Sequence, residues 1–228
     1  MLKIVKTTTF PNPLDLIAPH SCRGCGRLGV ALCNRCKNNI IANHQNICPI
    51  CRQPNPTGKC SKCKTTPQSF IVDYRDTLIG ELVHDYKYNS VRALAKPLAE
   101  ILHEILPPLS QNTVIVPLPT ISRHIRERGF DHIALIAKHL AKLRKIKSKP
   151  VLNRANNSVQ VGTSKSTRKS QAKSAYTLNP KITINPNTTY LLLDDIWTTG
   201  ASMQAATKKL QQAGAHKIII VILGLSQI

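Results

Sequence analysis

The chain has 228 residues, enough for one α/β domain plus a small appendage. Its 32 Lys and Arg against 11 Asp and Glu give a net charge of +21 and a pI near 10.0. No apolar run approaches transmembrane length, and the N-terminus lacks a signal-like apolar core, so membrane insertion is not expected and the cytoplasm is the expected location. From His132 to Leu193 there is no acid at all, while Lys and Arg appear 12 times. That asymmetry points to a polyanionic partner, and nucleic acid is the first candidate.

All eight cysteines lie between Cys22 and Cys63, in four C-x-x-C pairs: Cys22/Cys25, Cys33/Cys36, Cys48/Cys51 and Cys60/Cys63. A C-x-x-C turn aims two thiolates at one tetrahedral ion, and two turns close a four-cysteine site. Four turns therefore predict two structural zinc ions, with the pairs combining sequentially. A disulfide framework and iron–sulfur ligation are the alternatives. Cys36 is followed by a short helical stretch, KNNIIANH, which makes the first four cysteines a treble-clef knuckle and the last four a ribbon. Residues 1–66 hold ten Lys and Arg, one acid and one Phe, Tyr or Trp (Phe10), so metal supplies most of the folding energy of this module.

Thr65 to Ser69 reads as a linker, which places a second domain at 67–228. Phe70 to Tyr74 is its first expected strand. Leu78 to Tyr88 and Val91 to Leu106 read as helices split near Asn89 and Ser90, with Pro97 tolerable only in a first turn. Thr113 to Val116 is a buried strand closed by Pro117-Leu118-Pro119-Thr120. Arg123, Arg126 and Arg128 follow that strand end and are candidates for gripping a diphosphate. Asp131 caps a helix with the apolar stripe Ile133, Ile136, Leu140 and Leu143. Its basic residues Lys138, Lys142, Arg144 and Lys145 are candidate DNA contacts, unless they form a solvated face. Residues 147–190 are mostly polar and read as a disordered loop or a lid. Ala175 to Leu178 is a further expected strand.

Tyr190 to Leu193 is an unbroken apolar run, the signature of a strand buried on both faces. Asp194 and Asp195 are expected to end it. Thr198, Thr199, Gly200, Ala201 and Ser202 follow, then a helix carrying Met203, Ala206 and Leu210, then the strand Lys217 to Leu223. Small residues at a helix N-terminus let backbone N–H groups approach a phosphate. Two acids beside that cradle suit a ligand that also offers sugar hydroxyls, or a divalent cation between acid and phosphate. A diphosphate-bearing sugar phosphate satisfies both halves.

DDIWTTGAS resembles the phosphoribosyl diphosphate (PRPP) motif of type I phosphoribosyltransferases. There, the resemblance implies, the acids hold the ribose hydroxyls, the T-T-G-x-S loop cradles the 5′-phosphate, and Mg²⁺ accompanies the diphosphate. Together with the four C-x-x-C pairs, VPLPTISRHIRERGFD and the loop bearing Gln160 and Arg168, the chain resembles the ComF/GntX family, nearest its ComFC-type competence branch. The implied fold is an α/β phosphoribosyltransferase-like parallel sheet flanked by helices, preceded by a double zinc-finger module. Gln160 and Arg168 become lid candidates. Gln171, Ser174-Ala175-Tyr176 and Ser158 depart from the family pattern and weaken the lid assignment more than the phosphate site.

The resemblance further implies a role in natural transformation, on incoming single-stranded DNA. The implied partners are a helicase-like ATPase and a DNA-processing protein. Any nucleobase hood is expected from the zinc module or from the helices between Leu78 and Leu106, because Ile228 follows directly on the last strand. The alternatives are an ordinary salvage phosphoribosyltransferase and a zinc-stapled DNA adaptor with a vestigial pocket. Aromatic residues are few, with Phe 3, Trp 1 and Tyr 5, so charge is expected to outweigh base stacking in DNA binding.

Overall fold

Alternation of side chains along the central strands sets the architecture. The computed structural model describes residues 20–63, 67–155 and 175–226. A five-stranded parallel sheet contains β1 (Gln68–Tyr74), β2 (Thr113–Pro117), β3 (Lys147–Ser148), β6 (Thr189–Trp197) and β7 (Lys217–Leu225), in the order β1-β7-β6-β2-β3. Between β3 and β6 in sequence, β4 (Leu152–Arg154) and β5 (Tyr176–Leu178) form a separate antiparallel pair. Strands buried on both faces of a parallel sheet read as continuous apolar runs, and β6 and β7 fit that rule.

Successive residues of β6 feed opposite layers. Leu191 and Leu193 join the cluster that holds helices α2 (Leu78–Tyr88), α3 (Ala95–Ile105) and α5 (His132–Arg144). Tyr190 and Leu192 join the opposite cluster with Met203, Ala206 and Leu210 of helix α6 (Ala201–Gln212). Asp131 caps α5 as expected, its Oδ1 accepting from the Ala134 amide at 3.1 Å. Pro97 is the third residue of α3, in the first turn where its missing N–H costs no helical bond. A 3₁₀ turn at Arg92–Leu94 precedes it.

Three boundaries differ from the sequence expectation. First, β6 does not stop at Leu193 but carries both acids on to Trp197, because β7 runs alongside with Asp194 opposite Ile222 and Trp197 opposite Leu225. Opposite Ile196 stands Gly224, where a Cβ would lie 2.6 Å from the Ile196 Cδ1, so glycine makes room for the longer strand. Second, β1 starts at Gln68, in register with Ile219, rather than at Phe70. Third, β3 and β4 lie within the stretch expected to be a loop, and the Ser122–Arg128 segment forms the short helix α4.

The cysteine-rich segment packs into the same core. Helix α1 (Asn34–Ala42) begins before Cys36, with Cys33 at its N-cap position, rather than after it. Cys22, Leu32, Cys33 and Cys36 share one apolar cluster with α2 and α3. Ion pairs Arg23–Asp85 and Lys37–Glu100, each at 2.5 Å, link the two parts. The outer edge of β1 is covered as well: Asn46 accepts from the Ile71 amide at 2.8 Å and donates to the Ser69 carbonyl at 2.9 Å, while the Gly58 carbonyl accepts from the Ser69 amide at 2.8 Å. An edge strand with its backbone groups satisfied in this way offers no template for pairing with another chain.

Candidate functional site

β2 ends opposite Leu193, just before the two acids of β6, and parallel α/β sheets bind ligands at the C-terminal edge of their strands. Gly200 ends the loop after β6 in the left-handed conformation (φ 76°), with its Cα against the Trp197 ring, so a Cβ would collide there. Thr198, Thr199, Ala201 and Ser202 are exposed around it. Helix α6 starts at Ala201 with no side-chain cap from Gly200; the Ala201 amide makes a long contact of 3.4 Å to the Thr199 hydroxyl, and the first-turn amides face the loop as a cradle of N–H donors. Tyr176 of β5 packs in the same apolar cluster as Met203 in the first turn of α6.

The two acids have different surroundings. Asp194 is half-buried, and its Oδ1 accepts from the Asp195 amide at 2.9 Å. Burial, then the neighbouring charge of Asp195, pushes its carboxyl up to about 8. Asp195 is buried, and its Oδ2 is held by Lys87 Nζ at 2.7 Å and by a very short hydrogen bond from His132 Nε2. Burial opposes its ionisation, yet the His132 hydrogen bond and the Lys87 ammonium prevail and hold it down to about 2. On its other side His132 Nδ1 meets Arg128 Nη1 at 3.0 Å. Arginine only donates, so Nδ1 accepts and the Nε2–H tautomer faces Asp195. Arg128 Nε also donates to the Lys87 carbonyl at 2.7 Å, which closes a Lys87–Asp195–His132–Arg128 ring of contacts.

Beside this edge lies a cavity of about 660 Å³, lined by residues 117–123 from the end of β2 to the start of α4, by Asp131 and Ala134, and by Pro150 and residues 152–155. Arg154 reaches into it from β4, with its guanidinium 5.7 Å from the Tyr176 ring centroid and Nη1 3.5 Å from the Pro119 carbonyl. The three arginines of α4 do not converge. Arg123 is exposed and paired with Glu127 at 2.6 Å, Arg126 is exposed, and Arg128 is committed to Lys87 and His132. For Arg128 the diphosphate role gives way to this internal one. Gln160 and Arg168 lie outside the described residues.

Sequence reading missed Lys87, His132 and Arg154 as site residues. Lys87 stands over 100 positions before Asp195 and His132 stands 63 before it, so no local spacing signals the cluster. Among the DNA candidates, Lys138, Lys142 and Lys145 are exposed along α5 and its C-cap. Arg144 is a correction. Its guanidinium hydrogen-bonds the carbonyls of His103, Leu106 and Pro107 at the end of α3, which satisfies orphan helix carbonyls and takes the charge away from the basic face.

The eight thiols form two groups, Cys22/Cys25/Cys33/Cys36 and Cys48/Cys51/Cys60/Cys63, with the four sulfurs of each within 4.8 Å of one another. Cys25 and Cys33 approach to 3.6 Å between sulfurs, and Cys51 and Cys60 to 3.5 Å. Four sulfurs at that spacing suit a tetrahedral zinc ion with bonds of about 2.3 Å. The pairs combine sequentially, and all eight cysteines are free of disulfides. Among the described residues no helix is long and apolar enough to cross a membrane.

Fold and site together define an α/β protein with two acids at a strand end, a glycine-led helix start beside them, and two four-cysteine clusters that could each hold a metal ion. The chain is 25% identical over 221 residues to the competence protein ComFC of Streptococcus pneumoniae, covering 92% of this chain and 90% of that one. It is 23% identical over 199 residues to the competence protein ComFC of Bacillus subtilis, covering 80% and 79%. The resemblance to ComFC-type competence proteins thus runs along most of the chain. A hypoxanthine phosphoribosyltransferase from Staphylococcus aureus aligns at 15% identity with a TM-score of 0.32, over 59% of this chain and 62% of that one, less than two thirds of the enzyme's length. No family model matches.

Proposed function

We propose that this protein is a cytoplasmic competence factor that binds PRPP in a phosphoribosyltransferase-type pocket and contacts incoming single-stranded DNA. The observation that carries the reading is the pairing of Asp194 and Asp195 at a buried strand end with the uncapped start of α6. The amides after Gly200 and the hydroxyls of Thr198, Thr199 and Ser202 would hold the 5′-phosphate. Asp194 would face the ribose hydroxyls or a Mg²⁺ ion. It suits a hard cation, since among the described residues it accepts one hydrogen bond, from the neighbouring Asp195 amide. Mg²⁺ would neutralise diphosphate charge when bound. Asp195 acts differently, anchoring the strand end to α2 and α5 through Lys87 and His132. Arg154 and the exposed Arg126 are the guanidinium groups available to a diphosphate.

Two ComFC relatives support the competence role, and the net charge of +21 supports an anionic partner. Exposed Lys138, Lys142 and Lys145 would neutralise phosphates without reading sequence. A helicase-like ATPase and a DNA-processing protein follow as partners. Equilibrium binding of PRPP to wild type and Asp194→Ala tests the pocket. Affinity should fall roughly tenfold or more in the variant, since one charge-assisted hydrogen bond is worth about 1.5–3 kcal/mol. Equal affinities would overturn the assignment.

A further inference from the structure

Of the nine Phe, Trp and Tyr residues in the chain, Tyr88 is the one with an exposed ring among the described residues, at 67% exposure. Phe70, Phe130, Tyr86, Tyr176, Tyr190 and Trp197 are all buried. Tyr88 is the last residue of α2, directly after Lys87, whose ammonium touches Asp195 in the strand-end site. The ring is also held in place. Arg128 lies over it with Cζ 5.8 Å from the centroid, and the His84 ring stands 5.0 Å away, tilted by 46°. Arg128 is itself fixed by the Lys87 carbonyl and His132.

The charges around the ring are asymmetric. Asp85 is spent on Arg23 and Asn89, Asp131 caps α5, Asp195 is matched to Lys87 and His132, and Glu127 is matched to Arg123. The guanidinium of Arg128, whose hydrogen bonds go to the neutral Lys87 carbonyl and His132 ring, keeps its positive charge over the ring. A large exposed ring thus stands between a guanidinium and an imidazole, with most of its surface open to solvent. Its chemistry fits a flat π-face attached to a phosphate backbone.

We propose that Tyr88, flanked by His84 and Arg128, is a stacking platform for one base of single-stranded DNA, seated beside the strand-end pocket. The inference rests on the single-strand reading above and gives that reading a location on α2. It also adds to the sequence expectation that charge outweighs base stacking, because one stacked base contributes a term that charge-only binding lacks. Stacking on one aromatic is worth about 1–3 kcal/mol per base, or roughly fivefold or more in affinity.

The experiment measures fluorescence anisotropy of zinc-loaded full-length protein with labelled oligothymidylate and with an abasic strand of equal length and charge. Wild type should bind the base-bearing strand about fivefold or more tightly than the abasic one. Tyr88→Ala should remove that preference while leaving abasic-strand affinity and the salt slope unchanged, and Tyr88→Phe should keep it. Zinc content and melting temperature check that the variants are folded. Equal loss on both strands in Tyr88→Ala, or no loss on either, overturns the platform while leaving the single-strand reading intact. Failure of wild type to bind either strand overturns the single-strand reading and the platform with it.

Discussion

Substituting the two adjacent acids one at a time should have opposite effects on stability. Asp195→Asn removes the carboxylate that offsets Lys87 and accepts from His132, groups only 17% and 6% exposed at their side chains. Breaking a buried pair by deleting one partner costs about 3–5 kcal/mol, because the orphaned charge stays buried. At 2–4 °C per kcal/mol for a chain of this size, the melting temperature should fall by roughly 6–20 °C. Asp194→Asn removes an acid that the fold holds at about 8, well above the ordinary aspartate range. A folded-state value raised in this way weakens the native state above the unfolded-state value, by an amount that grows until pH reaches about 8. Its removal should therefore leave stability at neutral pH unchanged or raise it by about 1–3 kcal/mol. For Asp195 the sign is reversed. Its depressed value contributes stability above the ordinary aspartate range, and that stability is lost as pH falls toward about 2. Scanning calorimetry of the ligand-free, zinc-loaded protein reads both effects. Equal losses in the two variants, or a loss below about 2 °C in Asp195→Asn, would refute the assignment of separate roles.

Metal analysis should find close to two zinc ions per chain. Chelation should lower the melting temperature of the whole protein, since Cys22, Cys33 and Cys36 lie in the core cluster of α2 and α3. One ion per chain, or an unchanged transition after chelation, would show that reading to be wrong. Replacing Lys138, Lys142 and Lys145 together by Glu should weaken single-stranded DNA binding without affecting PRPP affinity. Its salt slope should flatten by about 0.7 for each phosphate no longer neutralised. Arg144→Ala should instead destabilise the fold by about 1.5–3 kcal/mol, by removing charge-assisted bonds to the end of α3, and leave the salt slope unchanged.

What the sequence disclosed follows from the range of the physics involved. The zinc pairs were legible because C-x-x-C is a local geometry, and sequential pairing needs only short connections between the turns. The buried strand Tyr190 to Leu193 and the Gly200 helix start were legible for the same reason, as an apolar run followed by a conformational break. The strand's continuation through Asp194 and Asp195 was hidden, because it depends on pairing with β7 and on Gly224 in the neighbouring strand. The unequal fates of the two acids were hidden too. Lys87 and His132 reach Asp195 only once α2 and α5 pack on the sheet. Arg144 misled because helical spacing shows which face a residue starts from, but not where a long side chain folds back.

The most direct test of the PRPP pocket is calorimetric titration of the zinc-loaded protein with PRPP and Mg²⁺ at about pH 6.5 and about pH 8.5. The protonated Asp194 carboxyl must ionise to hold a cation, and its value of about 8 lies between those two conditions. Binding should occur at one site per chain, require Mg²⁺, and tighten roughly tenfold or more at the higher pH. Asp194→Asn should bind more weakly and lose most of that pH dependence, with only the ligand's own phosphate titration remaining. Absence of binding at either pH with Mg²⁺ present, or full affinity with an unchanged pH profile in Asp194→Asn, would contradict the account.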